Sequence, residues 1–271
     1  MNIITLSRGS LSGAAILAEK LSEILNYPIV TREHVIEEAE LQYNISETGM
    51  ADMSFVDSPP SMMERQSYKI KHYLLSFQTI LLEMALKGNM IYMGHFGHFI
   101  LSGLPFVLRI RILRHETKRI QYLMETEKIS KDQAEIHLRL IDERRRNWAE
   151  LLYGKNIEDP KHFDIVMNVE NMSLETAAKI VTTAAKMPEF TSTSESEKLL
   201  HDLYLKAKTK LYLFLSPMTR GYELDIKASA DEGAVFIKML DKEVGTDMEK
   251  FQTYSKHVLA KIDDIKKISF V

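Results

Sequence analysis

The chain has 271 residues, 45% of them hydrophobic and 27% charged, which is the composition of a globular protein with room for one large domain or two smaller ones. Its formal net charge of -3 gives no global field favouring nucleic acid or a membrane surface, and its lack of cysteine excludes disulfides and thiolate metal sites. The start of the chain lacks a signal peptide's basic and long apolar regions, and no apolar run approaches the ~18 residues that span a bilayer, so a cytoplasmic location is expected.

Ile3 to Leu6 is a short, β-branched apolar run and reads as a buried strand. Ser7 to Gly13 is small, polar and rich in Gly and Ser. From Ala14 onward, Leu17, Ala18, Leu21, Ile24 and Leu25 keep the spacing of one helix face. Strand, glycine loop and helix together make a turn whose backbone N–H groups and helix end can hold an anion. Against the pattern G-x-x-x-x-G-K-[ST], Gly9 fills the first place, while Ala14, Ala15 and Ile16 stand where glycine, lysine and the hydroxyl are expected.

Pro28 to Val30 is a second strand, and Thr31 can cap a helix from Arg32 to about Leu41. Asn44 to Pro60 is polar and carries Pro59-Pro60, so it reads as irregular. Ser61 begins a long helix to about Lys87, stopped by Gly88-Asn89. Met90 to Met93 is a third strand, followed by Gly94-His95-Phe96-Gly97. Phe106 to Leu113 is a fourth, with Arg109 and Arg111 on one face, expected to be exposed or to face an anion. Glu116–Glu127 and Ser130 to about Tyr153 are helices, Phe163–Asn168 is a fifth strand, and Ser173 caps a helix to Lys186. This alternation predicts an α/β fold with a parallel sheet covered on both faces.

Pro188 to Glu197 is rich in Ser and Thr and reads as a linker between domains 1–187 and 198–271. The last part reads as a helix from Lys198 to Leu215, strands Tyr222–Ala228 and Ala234–Leu240, a helix Met248–Ile262 and a strand Ile265–Val271: a small α+β module.

Three constellations can carry chemistry. The first is the glycine loop. The second is the set Arg109, Arg111, Arg119, Asp142, Arg144 and Arg145, whose guanidinium forks suit phosphate. Asp142 and Arg145 are three apart on a helix and can pair. The bland alternative for the second set is a solvated helix laced with ion pairs. The third is His95 and His98, at the carboxyl end of a strand, where open α/β sheets bind ligands. No carboxylate or cysteine completes a metal site there, and Trp148 is most simply core.

These blocks, S-R-G-S-L-S-G-A-A-I-L-A-E-K-L, T-R-E-H-V-I-E-E-A, D-S-P-P-S-M-M-E-R, G-N-M-I-Y-M-G-H-F-G-H-F-I-L, L-R-I-R-I-L, I-D-E-R-R-R-N-W, L-Y-G-K-N and F-D-I-V-M-N, resemble in order and spacing the cytidylate kinase-like family of P-loop proteins. The final module looks like a BON domain by element order. The resemblance covers Met1 to about Lys186. It implies a nucleoside monophosphate kinase fold with a helical lid. It would place ATP phosphates on Ser7, Arg8, Gly9, Ser10, Ser12, Gly13, Ala14 and Ala15. The acceptor, CMP or a similar nucleotide, would lie against Arg32, Gly94, His95, Gly97 and Arg111. Arg119, Asp142 and Arg145 would close over the transferred group, with ATP and Mg2+ used if the protein is active. The chain departs from the family at Ala14-Ala15, at Gly94-His95-Phe96-Gly97, where an arginine and an acid are common, and at Thr31. These departures imply a nucleotide-binding protein with weakened or lost phosphoryl transfer. The alternative is a nucleotide or phosphate sensor signalling through its C-terminal module. A homo-oligomer is left open, and no nucleic-acid partner is expected.

Overall fold

The computed structural model describes residues 1–8, 12–45, 68–94, 96–240 and 247–271. Five strands, β1 (Ile3–Arg8), β2 (Ile29–Thr31), β3 (Met90–Met93), β4 (Val107–Leu113) and β5 (Ile165–Asn168), form one sheet in the order β2-β3-β1-β4-β5. All of its pairings are parallel, as the alternation of elements predicts. Parallel strands bury both faces, so their runs are apolar throughout. Ile4 and Leu6 point to one side, against α1 (Ala14–Leu25) and α7 (Leu174–Ala185). Ile3 points to the other, against α2 (Arg32–Tyr43) and α3 (Tyr68–Leu86). The reading of residues 46–60 as irregular, and of Ser61 as the start of the long helix, falls outside the described residues. The short helix α4 (Gly97–Ile100) has no counterpart in the sequence reading, because four residues show no period.

Local signals set the element starts. Thr31 Oγ1 accepts from the backbone N–H of His34 at 3.2 Å, and His34 Nδ1 accepts in return from the N–H of Thr31 at 3.4 Å. Beyond α5 (Glu116–Glu127), Ser130 and Gln133 make the same reciprocal cap at the head of α6 (Lys131–Tyr153). These two helices form a hairpin with its own small core of Ile120, Leu123, Ala134 and Leu138.

Residues 188–197, expected as a linker, have regular structure. Residues 188–190 form a 3-10 turn, and α8 (Ser194–Leu215) starts four residues earlier than expected. The reason is Thr193, whose hydroxyl caps the N–H of Ser196 at 3.2 Å. The segment is also tied to the first strand, where Ser192 N–H donates to the Met1 carbonyl at 2.8 Å.

Helix α8 serves two cores. Leu200 and Ala207, with Leu203 and Tyr204, pack into the core of α2 and α3. Leu205 and Leu213, with Tyr212, pack against the second sheet, β6 (Leu224–Ser229), β7 (Ala234–Met239) and β8 (Lys267–Phe270), and against α9 (Met248–Leu259). Its two apolar faces are why composition alone placed it wholly in the last module. The second sheet pairs β6 and β7 antiparallel and β7 and β8 parallel. No helix among the described residues is long and apolar enough to cross a membrane.

Candidate functional site

The carboxyl ends of the five parallel strands gather the sequence-derived residues along one edge, where such sheets bind ligands. At the end of β1, Ser7 is buried and Arg8 pairs in register with Ile112. Gly9 and Ser10 lie outside the described residues. Ser12 is buried, and its hydroxyl has no hydrogen-bond partner among the described residues. Gly13 is the residue before the helix, at φ 89°, a left-handed conformation that favours glycine. Ala14 is the first helical residue and is buried, and Ala15 is exposed. No side chain caps this first turn. A helix start without a side-chain cap leaves backbone N–H groups free to meet an anion or water.

Strand β4 supplies the next layer. Thr5 pairs with Arg109 and Ser7 with Arg111, so these arginines stand beside β1 on the same face. Of the two outcomes expected for this face, exposed or facing an anion, the structure shows the second: residues 157–164 bring the carboxylates of Asp164 and Glu158 against it. Arg109 grips Asp164 through Nε at 3.0 Å and Nη2 at 2.6 Å. Arg111 donates to the Ile157 carbonyl and to Glu158 Oε1, the latter at 3.3 Å, and lies 5.7 Å from the centre of the Phe163 ring. Burial lowers the pKa of Arg111, with Glu158 and then Asp142 opposing that shift and Arg119 adding to it. Arg111, Arg119 and Asp142 are therefore electrostatic neighbours.

Arg119 on α5 and Asp142 on α6 form the centre of the group. One guanidinium nitrogen of Arg119 donates to both carboxylate oxygens, at 2.7 and 2.8 Å. Both side chains are largely shielded, at 12% and 24% exposure. The carboxylate of Asp142 is held by Arg119 from the neighbouring helix, a contact that spacing along α6 does not show. Arg145 lies one turn further along α6.

Gly94 and Gly97, expected on the acceptor side, flank Tyr92, which is wholly buried in β3. A Cβ on Gly94 would meet its hydroxyl at 2.3 Å, and one on Gly97 would meet its ring at 2.2 Å. The two glycines let the backbone wrap the phenol. Arg32, 11% exposed, donates to the Tyr73 hydroxyl at 3.3 Å, and its charge lowers the pKa values of Tyr73 and Tyr92 against the larger effect of burial. His95 lies outside the described residues. His98 is buried against Phe99 and Phe163, with ring centres at 4.0 and 4.7 Å, and its Nε2 has no partner. Burial, reinforced by His162, Arg109, Arg111 and Lys155, holds its pKa down at about 3, so it is neutral. Among the described residues no cluster of His, Asp and Glu suits a metal ion.

Sequence reasoning missed Arg114. It follows the end of β4, and its buried Nε has no hydrogen-bond partner. The signal was present in L-R-I-R-I-L-R, where Arg114 breaks the alternation of Arg109 and Arg111 just past the strand.

No curated protein matches this sequence. Among solved structures, an uncharacterized protein from Eubacterium ventriosum aligns with a TM-score of 0.54 and 20% identity, over 68% of this chain and 97% of that one, a likeness of fold. A shikimate kinase from Bacteroides thetaiotaomicron aligns at 12% identity and a TM-score of 0.41, over 69% of this chain and 99% of its own. A dephospho-CoA kinase from Campylobacter jejuni aligns at 12% and 0.35, over 69% and 98%. Residues 3–171, more than half of the sequence, match the family described as cytidylate kinase-like, and the chain belongs to that family.

Proposed function

We propose that this protein binds a nucleotide through its phosphates at the carboxyl edge of the five-stranded sheet, and that phosphoryl transfer is weak or absent. The observation that supports this reading best is the Arg119–Asp142 pair beside Arg111, on the strand next to the β1–α1 turn. A guanidinium already oriented by a carboxylate can meet phosphate at low entropic cost. Ser12, Gly13, Ala14 and Ala15 present the helix start, Arg119 and Arg145 belong to the lid hairpin, and Arg114 is added to this set. Arg32, with Gly94, Gly97 and the tyrosines, fits the acceptor side, for CMP or a similar monophosphate.

The donor set does not fit every part of the family's chemistry. There is no lysine from Ser7 to Glu19, and the position that would bring a magnesium-ligating hydroxyl is Ile16, which is 51% exposed. The position at which the family pattern places a magnesium-ligating hydroxyl therefore offers none, and no step is assigned to magnesium. Transfer depends on positioning and on charge neutralisation worth several kcal/mol, and Ala15 contributes no charge. A coupled assay with ATP and CMP tests this. Turnover in the ~1–100 s⁻¹ range of kinases would overturn it, whereas stronger ATP binding by Ala15→Lys would support it.

A second reading has one observation in its favour. Helix α8 joins α3, whose Tyr73 touches Arg32, to the second sheet. A nucleotide-dependent shift of α3 would reach the C-terminal module, which has the element order of a BON-like domain, and make the protein a sensor. In this reading residues 1–187 sense and 198–271 respond.

A further inference from the structure

The second sheet has two unlike faces. In register across it, Leu224, Ile226 and Ala228 of β6 oppose Met239, Ile237 and Val235 of β7, and Ile268 and Phe270 of β8 complete the row. All eight belong to the core shared with α8 and α9. The alternate residues point the other way: Asp225, Lys227 and Ser229 on β6, buried Ala234 with Phe236 and Lys238 on β7, Lys267 and Ser269 on β8. No described element packs there in that core, and Phe236 belongs to no apolar cluster and makes no ring contact.

The solvated face of a sheet is ordinarily polar, so a phenylalanine at the middle of the central strand calls for a partner. Its surroundings say which. Lys227 stands directly opposite Phe236, and Ser269 opposite on the other side. Lys238 is two residues along the same strand, about 7 Å away. Lys267 pairs with Ala234, two residues the other way. The three lysines are exposed, and none has a carboxylate within ion-pair distance among the described residues. A half-buried aromatic ring therefore lies at the centre of a face with three exposed lysines, where Asp225 stands opposite Lys238 and Glu223 continues the row, although the whole chain is net negative.

We infer that this face binds single-stranded nucleic acid, with a base stacked on Phe236 and the flanking phosphates on Lys227, Lys238 and Lys267. A base has a flat π-face for the ring, and its strand carries regularly spaced charge for the ammoniums. A bilayer fits less well, because a ring in the middle of a sheet, beside longer lysines, does not reach past the headgroups. An acidic peptide uses the lysines and leaves the ring without a stacking partner. This inference is independent of the nucleotide site on the first sheet.

The test is fluorescence anisotropy of the full chain with short labelled oligo(dT) and oligo(rU), beside a duplex of equal length and vesicles of phosphatidylcholine with phosphatidylglycerol. Single strands should bind at low salt, with log K falling against log salt at a slope near −2, about 0.7 for each of three phosphates. Phe236→Ala and the apolar Phe236→Leu should each lose roughly fivefold to a hundredfold in affinity, the range of one base stack. Lys227→Ala with Lys238→Ala should flatten the slope, while Lys179→Ala, on the distant α7, should change nothing. Melting curves of each variant exclude misfolding, since Phe236 lies off the core. Absence of single-strand binding, equal binding of duplex, capture by vesicles alone, or undiminished binding by both Phe236 variants overturns the inference.

Discussion

One nitrogen of Arg119 lies 2.8 and 2.7 Å from the two carboxylate oxygens of Asp142, joining α5 to α6 across 23 positions of sequence. Both groups are largely shielded, and the charge of each reaches Arg111 on β4. If this pair presents a guanidinium to phosphate, Arg119→Ala should weaken nucleotide binding by roughly 1.5–3 kcal/mol, the scale of hydrogen bonds to charged groups. Asp142→Asn should weaken it less, because it frees the guanidinium without removing it. Nucleotide titration beside melting curves measures both. Unchanged affinity with lowered stability would make the pair a structural clamp only.

The two glycines around Tyr92 make a packing prediction. A methyl group at Gly97 would stand 2.2 Å from the ring of Tyr92. Gly97→Ala should cost roughly 1–3 kcal/mol by overpacking. Adding Tyr92→Ala should return part of that, giving a coupling in a double-mutant cycle of denaturant melts. Additive losses would mean that the backbone moves instead.

His98 links stability to pH. Its folded pKa of about 3 lies far below the 6.5 of an unfolded histidine. Between these values the unfolded chain binds a proton that the folded chain does not, so this stabilisation is complete above pH 6.5 and is lost as pH falls. At pH 5 the loss should reach about 2 kcal/mol, at ~1.36 kcal/mol per unit. His98→Phe should flatten this part of the curve. Equal slopes in urea melts of the two proteins from pH 7 to 5 would show that His98 has room to take up a proton.

Helix α8 should couple the two sheets. Leu200 is fully buried in the core it shares with α3. Leu200→Ala should cost roughly 2–5 kcal/mol and shift Trp148 fluorescence and far-UV circular dichroism together, in one transition. Two separate transitions in the native chain would mean that the sheets unfold independently.

What the sequence revealed and what it hid follow from the range of the interactions. β1 and α1 were legible because an apolar run and a helical period are local patterns. The N-cap of α7 at Ser173 was legible for the same reason, and its hydroxyl accepts from the Thr176 N–H at 3.2 Å. The hold of Arg119 on Asp142 was not, because spacing along one helix is silent about a neighbouring helix. Arg109 and Arg111 could be assigned to one strand face, but alternation does not say that Asp164 and Glu158 cover it. The double role of α8 was hidden because apolar residues on two of its faces do not reveal which core each face joins.

The most direct test of the nucleotide-binding reading is isothermal calorimetry of the full chain with ATP, CMP and dCMP, each with and without magnesium. The account predicts saturable binding of at least one nucleotide, reduced by Arg119→Ala and little changed by magnesium, since Ile16 brings no ligand for it. Absence of binding by all three, or binding that requires magnesium and survives Arg119→Ala, would contradict it.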